Sequence, residues 1–90
     1  MLKRVEAKYR GMVQGIGFRF TAQRLAEDLD IKGWVKNMPD GSVELAAEAE
    51  EENLGKFLEQ IKAHFKDYIQ DADLNWKDPA GRFQDFRVAF

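Results

Sequence analysis

The sequence has no cysteine and one histidine, His64. Disulfides, thiolate metal sites and thiol redox chemistry are therefore excluded. A single histidine argues against a catalytic triad or a zinc cluster, each of which needs further partners. No apolar run approaches the roughly 20 residues that a membrane-spanning helix requires. The opening stretch MLKRVEAKYR is charged and alternating, without the apolar core of a secretory signal. Export is not expected, and the chain reads as cytoplasmic. Low-complexity tracts, internal repeats and linkers are missing too. With 90 residues, 44% apolar and 33% charged, the composition suits one soluble domain over 1–90, within the about 50 to 200 residues that a single core serves.

The net charge of −2 is unevenly spread. Residues 1–24 carry six bases (Lys3, Arg4, Lys8, Arg10, Arg19, Arg24) against the one acid Glu6, a local +5. Residues 37–60 carry seven acids against one base, a local −6. A positive N-terminal quarter on an acidic protein suits a local anion site better than a nucleic-acid surface, although ordinary surface charge accounts for it at least as well.

Along the chain the apolar period switches between two and 3.6. Val5, Ala7 and Tyr9 alternate with Arg4, Glu6, Lys8 and Arg10 across residues 3–11, the pattern of a half-buried strand. After the loop GMVQGIG, the residues Phe18, Ala22, Leu25, Ala26 and Leu29 form one stripe of an amphipathic helix ending near Asp30. Residues 31–37 read as a second strand, closed by the turn signal Pro39-Asp40-Gly41. Residues 42–49 alternate again, with Val43, Leu45, Ala47 and Ala49 inward and Ser42, Glu44 and Glu48 outward. Glu50, Glu51 and Glu52 place acids at a helix start, where the dipole favours them. Leu54, Phe57, Leu58, Ile61 and Phe65 are that helix's buried stripe. Residues 72–77 and 83–90 look like two final strands, joined through Pro79-Ala80-Gly81.

The order is βαββαβ with an extra terminal strand. It specifies an α+β, ferredoxin-like sandwich: an antiparallel sheet with two helices on one face. The plan has a geometric consequence. Strands 1 and 2 both run up, and strand 3 descends between them. Their C-terminal ends therefore share one edge of the sheet, two strand spacings or roughly 10 Å apart. The glycine loop and Arg19 sit at the first end, and Asn37 sits at the second.

Within Gly11–Arg19, glycines allow left-handed backbone and close approach to a ligand. The loop feeds a helix N-terminus, where free N–H groups and the dipole attract anions. Arg19 adds a planar charged fork suited to phosphate oxygens. The pattern is neither a Walker loop nor GxGxxG, and a plain connector with a solvated arginine also fits it. Asn37 in isolation fits a turn residue bonding its own backbone. Only its expected convergence with Arg19 points to chemistry.

Two blocks, GMVQGIGFR (11–19) and GWVKNMPDGSVE (33–44), resemble the paired signatures of the acylphosphatase family, in sequence and in separation. The resemblance covers essentially all 90 residues. Ile16 stands where valine is commoner. Ala49 stands where the second signature usually closes with glycine, away from the expected site, so activity is expected to survive it.

The resemblance implies hydrolysis of small acyl phosphates to a carboxylate and inorganic phosphate. It also implies roles. Arg19 and the backbone N–H groups of Gly15, Ile16, Gly17, Phe18 and Arg19 would bind the phosphate, and Asn37 would hold the attacking water. The carboxylate leaving group needs no general acid, so catalysis would be positioning plus electrostatics, with no metal, cofactor or covalent intermediate.

Other residues offer less. His64 is expected beside the buried stripe, far from this edge, as a spectator. Trp34 is expected on the open sheet face, as a surface aromatic or in contact with an acyl group. The acids at 48 and 50–52 lack basic or histidine partners and read as a solvated helix cap.

A non-catalytic module of the same architecture, binding RNA or a small molecule, is the alternative. RNA readers of this fold stack bases on aromatics of the central strands. Here those strands show charges and no stacking aromatic, so no nucleic-acid partner is expected. Service as a domain of a larger carbamoyl-transfer protein is a further possibility. A free chain with both ends in strands argues against it, and a monomer meeting small phosphates but no membrane is expected.

Overall fold

Alternating polarity becomes alternating burial in β1 (Leu2–Gly11), where Val5, Ala7 and Tyr9 face the core. The computed structural model describes residues 1–90. The helical period takes over in α1 (Phe18–Asp28), which buries Phe18, Ala22 and Ala26 and half-buries Leu25. Asp30, at φ 54°, turns the chain out of it. Strand β2 (Lys32–Asn37) follows, and β3 (Val43–Glu50) buries Val43, Leu45, Ala47 and Ala49, the inward set expected. Helix α2 (Glu51–His64) carries acids in its first turn and Lys62 and His64 in its last, both complementing its dipole. Strands β4 (Ile69–Lys77) and β5 (Phe86–Ala89) complete the order.

The sheet order is β4-β1-β3-β2-β5. Its first four strands pair antiparallel, with β3 between β1 and β2, while α1 covers β2 and β5 and α2 covers β3 and β1. That is the ferredoxin-like sandwich. The fifth strand differs from a purely antiparallel plan: β5 pairs parallel to β2, opposite Gly33–Lys36, and the sheet is mixed. The reason is the route between β4 and β5. Strand β4 descends on one edge, so residues 78–85 must cross the lower end of the sheet before β5 rises on the other.

The crossing is anchored. The Glu48 carboxylate accepts the N–H groups of Ala80 and Gly81 at 2.8 and 3.0 Å, and Arg4 donates to the same carboxylate at 3.1 Å. The Arg4 guanidinium also lies 5.1 Å from the Phe83 ring centroid. Burial alone would raise the Glu48 carboxyl, but the two N–H donors and Arg4 outweigh it and hold it below its ordinary value. Residues 83–85 thus belong to the crossing and not to the last strand. At the other boundary, β4 begins at Ile69, three residues earlier than its apolar alternation suggests.

Two side chains also sit differently from expectation. Ser42 is buried, not outward, because its hydroxyl and N–H both donate to the Asp40 carboxylate and close the turn. His64 lies at the same edge as the glycine loop, since β3 descends and α2 rises again. Phe65, next to it, stacks on Phe18 at 4.6 Å. His64 itself is exposed, with its ring edge-on to Phe65 at 4.8 Å.

Phe57 has no exposed surface and meets Phe86 edge-on at 5.9 Å, tying α2 to β5. Phe57→Ala is expected to cost about 3–5 kcal/mol, the usual price of a buried phenyl. A urea titration should show the midpoint falling while folded molecules keep their turnover. An unchanged midpoint would mean that this contact contributes little.

Candidate active site

The loop at residues 12–17 leaves β1 and enters α1 through two left-handed glycines, Gly15 at φ 78° and Gly17 at φ 80°. A Cβ at either would meet open space, so the backbone conformation and not crowding asks for glycine. Gly17 caps α1 without any side-chain bond, and the first helical bond runs from Thr21 N–H to Gly17 C=O at 3.0 Å. The N–H groups of residues 15–20 find no backbone acceptor in the chain. Free donors and the positive end of the helix dipole thus share one spot, the arrangement that holds anions.

The core holds this loop from below. Val13 is fully buried, Ile16 packs against the core, and Phe18 lies between Tyr9 and Phe65 at 5.2 and 4.6 Å. Met12 N–H donates to Tyr68 C=O at 2.9 Å. Gln14 reaches sideways, its Nε2 donating to Met38 C=O at 2.8 Å and to Ser42 C=O at 2.9 Å.

Arg19 is half-buried and makes no ion pair, whereas three other bases of the N-terminal quarter face carboxylates. Arg4 meets Glu6 and Glu48, Lys8 meets Asp40 and Glu44, and Arg10 meets Asp71 and Asp73. The Arg19 guanidinium instead lies 4.9 Å from the Phe90 ring centroid and 5.9 Å from that of Phe20. Such stacking holds the fork in place while leaving its N–H donors free. Asn37 ends β2 opposite Val43. Its amide takes no partner from the turn that follows, which Asp40 and Ser42 close between themselves.

The two converge. A cleft of about 220 Å³ is lined by Val13, Gly15, Gly17, Phe18, Arg19, Phe20 and Asn37. Four of the five residues expected to bind phosphate line it. The fifth, Ile16, does not line it, because its side chain packs against the core. His64 does not line the cleft, nor does Trp34, which sits half-buried on the open face opposite Ala46 and Arg87. Ala49 is a buried β3 position opposite Lys3, at the far end of the sheet. Val13, Gln14, Phe20 and Phe90 were not singled out from sequence. Gln14 lies within the first motif, but an uncharged side chain in a glycine loop gives no signal of what it bonds.

Residues 5–88 match the family model Acylphosphatase. The chain belongs to the acylphosphatase family. Acylphosphatases of Lactobacillus gasseri and Salinibacter ruber are 44% and 41% identical to it, over 99% and 96% of this chain and 100% and 92% of theirs. The crystal structure of the Bacillus subtilis acylphosphatase superposes with a TM-score of 0.89 at 30% identity, covering 100% of both chains. A similar fold occurs within the longer HypF of T. kodakarensis (TM-score 0.80, 27% identity), where it spans 12% of that chain. Nothing in these likenesses favours a non-catalytic module. No helix is long and apolar enough to cross a membrane.

Proposed function

We propose that this member of the acylphosphatase family hydrolyses small acyl phosphates by positioning a water against a phosphoryl group held in the α1 cradle. Family and fold carry the reaction class, and the cleft suggests the division of labour. Arg19 and the N–H groups of Gly15, Ile16, Gly17, Phe18 and Arg19 hold the phosphoryl oxygens. Asn37 orients the water. The water oxygen forms a new P–O bond while the bridging P–O bond breaks, leaving its electron pair on the carboxylate. The water's second proton ends on a phosphate oxygen, so the products are a carboxylate and dihydrogen phosphate.

The observation that carries this proposal is the convergence of an unpaired arginine, an unbonded asparagine amide and uncapped helix N–H groups in one cleft. A carboxylate leaves without a general acid, so neither metal nor cofactor is assigned. We take the working unit to be a cytoplasmic monomer of one domain, 1–90, with no nucleic-acid partner.

Purified protein should hydrolyse benzoyl phosphate at an unchanged rate in EDTA and leave a phosphate monoester intact. Inorganic phosphate should inhibit competitively, because it fits the same cradle. Turnover lost in EDTA and restored by zinc or magnesium would sink the metal-free mechanism.

A further inference from the structure

The two halves of the cleft sit on strands that do not touch. Strand β3 separates β1 from β2, so the phosphate loop and Asn37 share no ladder hydrogen bond. Both also lie at or beyond the strand ends, where backbone pairing no longer dictates spacing. Yet their relative position matters, because the water and the phosphorus atom must meet in line.

One side chain joins them. Gln14 directly precedes the cradle residue Gly15, and its Nε2 donates to the carbonyl of Met38, which directly follows Asn37. The same nitrogen donates to Ser42 C=O. Both hydrogens of the amide are thereby engaged, the most such a nitrogen can offer. Neither carbonyl is otherwise idle: Ser42 C=O accepts Met38 N–H at 2.8 Å, and Met38 C=O accepts Gly41 N–H at 3.1 Å. Gln14 is thus docked onto the bonds that close the β2–β3 turn. The side-chain tie from β1 itself to this turn, Lys8 to Asp40 at 3.0 Å, is more exposed and attaches beyond Met38.

We propose that Gln14 is a positioning residue for the acyl-phosphate reaction, setting the distance and angle between the phosphate cradle and the water held by Asn37. It touches neither substrate nor water in this scheme. The inference rests on the roles assigned above to the cradle and to Asn37.

Gln14→Met keeps the length and apolar stem and removes both donors. It is expected to lower kcat for benzoyl phosphate about 10- to 100-fold, the scale of loss when reacting groups shift by about an ångström. Competitive inhibition by inorganic phosphate should stay within about twofold, because the cradle itself is intact. In an Asn37→Ala background the same change should cost almost nothing further, since there is no held water left to misalign. Full kcat in folded Gln14→Met would overturn the proposal. So would a loss that simply multiplies with that of Asn37→Ala. The Asn37→Ala single variant tests the underlying assignment separately: full turnover there would remove the water-holding role, whatever Gln14 does. If Gln14→Met does not fold, Gln14→Asn keeps the donors on a stem one methylene shorter. Its kcat should fall below that of the unsubstituted protein, and an unchanged kcat would again overturn the proposal.

Discussion

Arg19→Ala is expected to lower kcat/KM for benzoyl phosphate by about 10³-fold or more, the scale on which an arginine stabilises a transferring phosphoryl group. Inorganic phosphate should bind more weakly as well, because the guanidinium meets charge present in both ground and transition states. The protein should remain folded. Arg19 is half-buried, has no carboxylate partner, and its guanidinium lies over the rings of Phe20 and Phe90. Arg19→Lys should recover only part of the loss, since an ammonium restores the charge but not the planar fork. Initial-rate kinetics with phosphate as inhibitor check all of this. An unchanged inhibition constant in folded Arg19→Ala would remove Arg19 from the cradle.

For Asn37→Ala the expected result has a different shape. The rate constant kcat should fall about 10²–10³-fold, the usual cost of deleting one positioned polar group, while phosphate affinity stays nearly constant. A loss confined to kcat marks an interaction made in the transition state. Stability should change little, because the Asn37 amide makes none of the bonds that close the turn. A raised KM with kcat intact would instead make Asn37 a substrate-binding residue.

The fold was legible wherever a segment buries one face. Val5, Ala7 and Tyr9, or Leu54, Phe57 and Ile61, record in their spacing which side meets the core. Strand β4 was less legible because it lies at an edge. Ile69 is only half-buried and the rest of the strand is exposed, so burial periodicity hardly marks its start. The alternation of Phe86 and Val88 is the same in either direction, so it carried no sign that β5 would pair parallel. The place of His64 depends on the direction of α2, which rises to the cleft edge, and the helical stripe alone does not carry that direction.

The candidate site divides in the same way. Its chemical groups were readable because phosphate asks for glycines, a helix start and an arginine in close succession, and these are local in the chain. That Asn37 would come beside them followed from strand order alone. Sequence by itself thus determined the elements, the sandwich and the candidate site groups, since each depends on local spacing or on the order of elements, while the family was legible in the resemblance of two motifs. Only the tertiary structure decided the parallel last strand, the Glu48 anchor of the crossing, the burial of Ser42 and the Gln14 bridge. Glu48 bonds residues 32 and 33 positions away, and Gln14 bonds carbonyls 24 and 28 positions away. Such partners have no periodicity relating them and become visible only when the chain has brought them together.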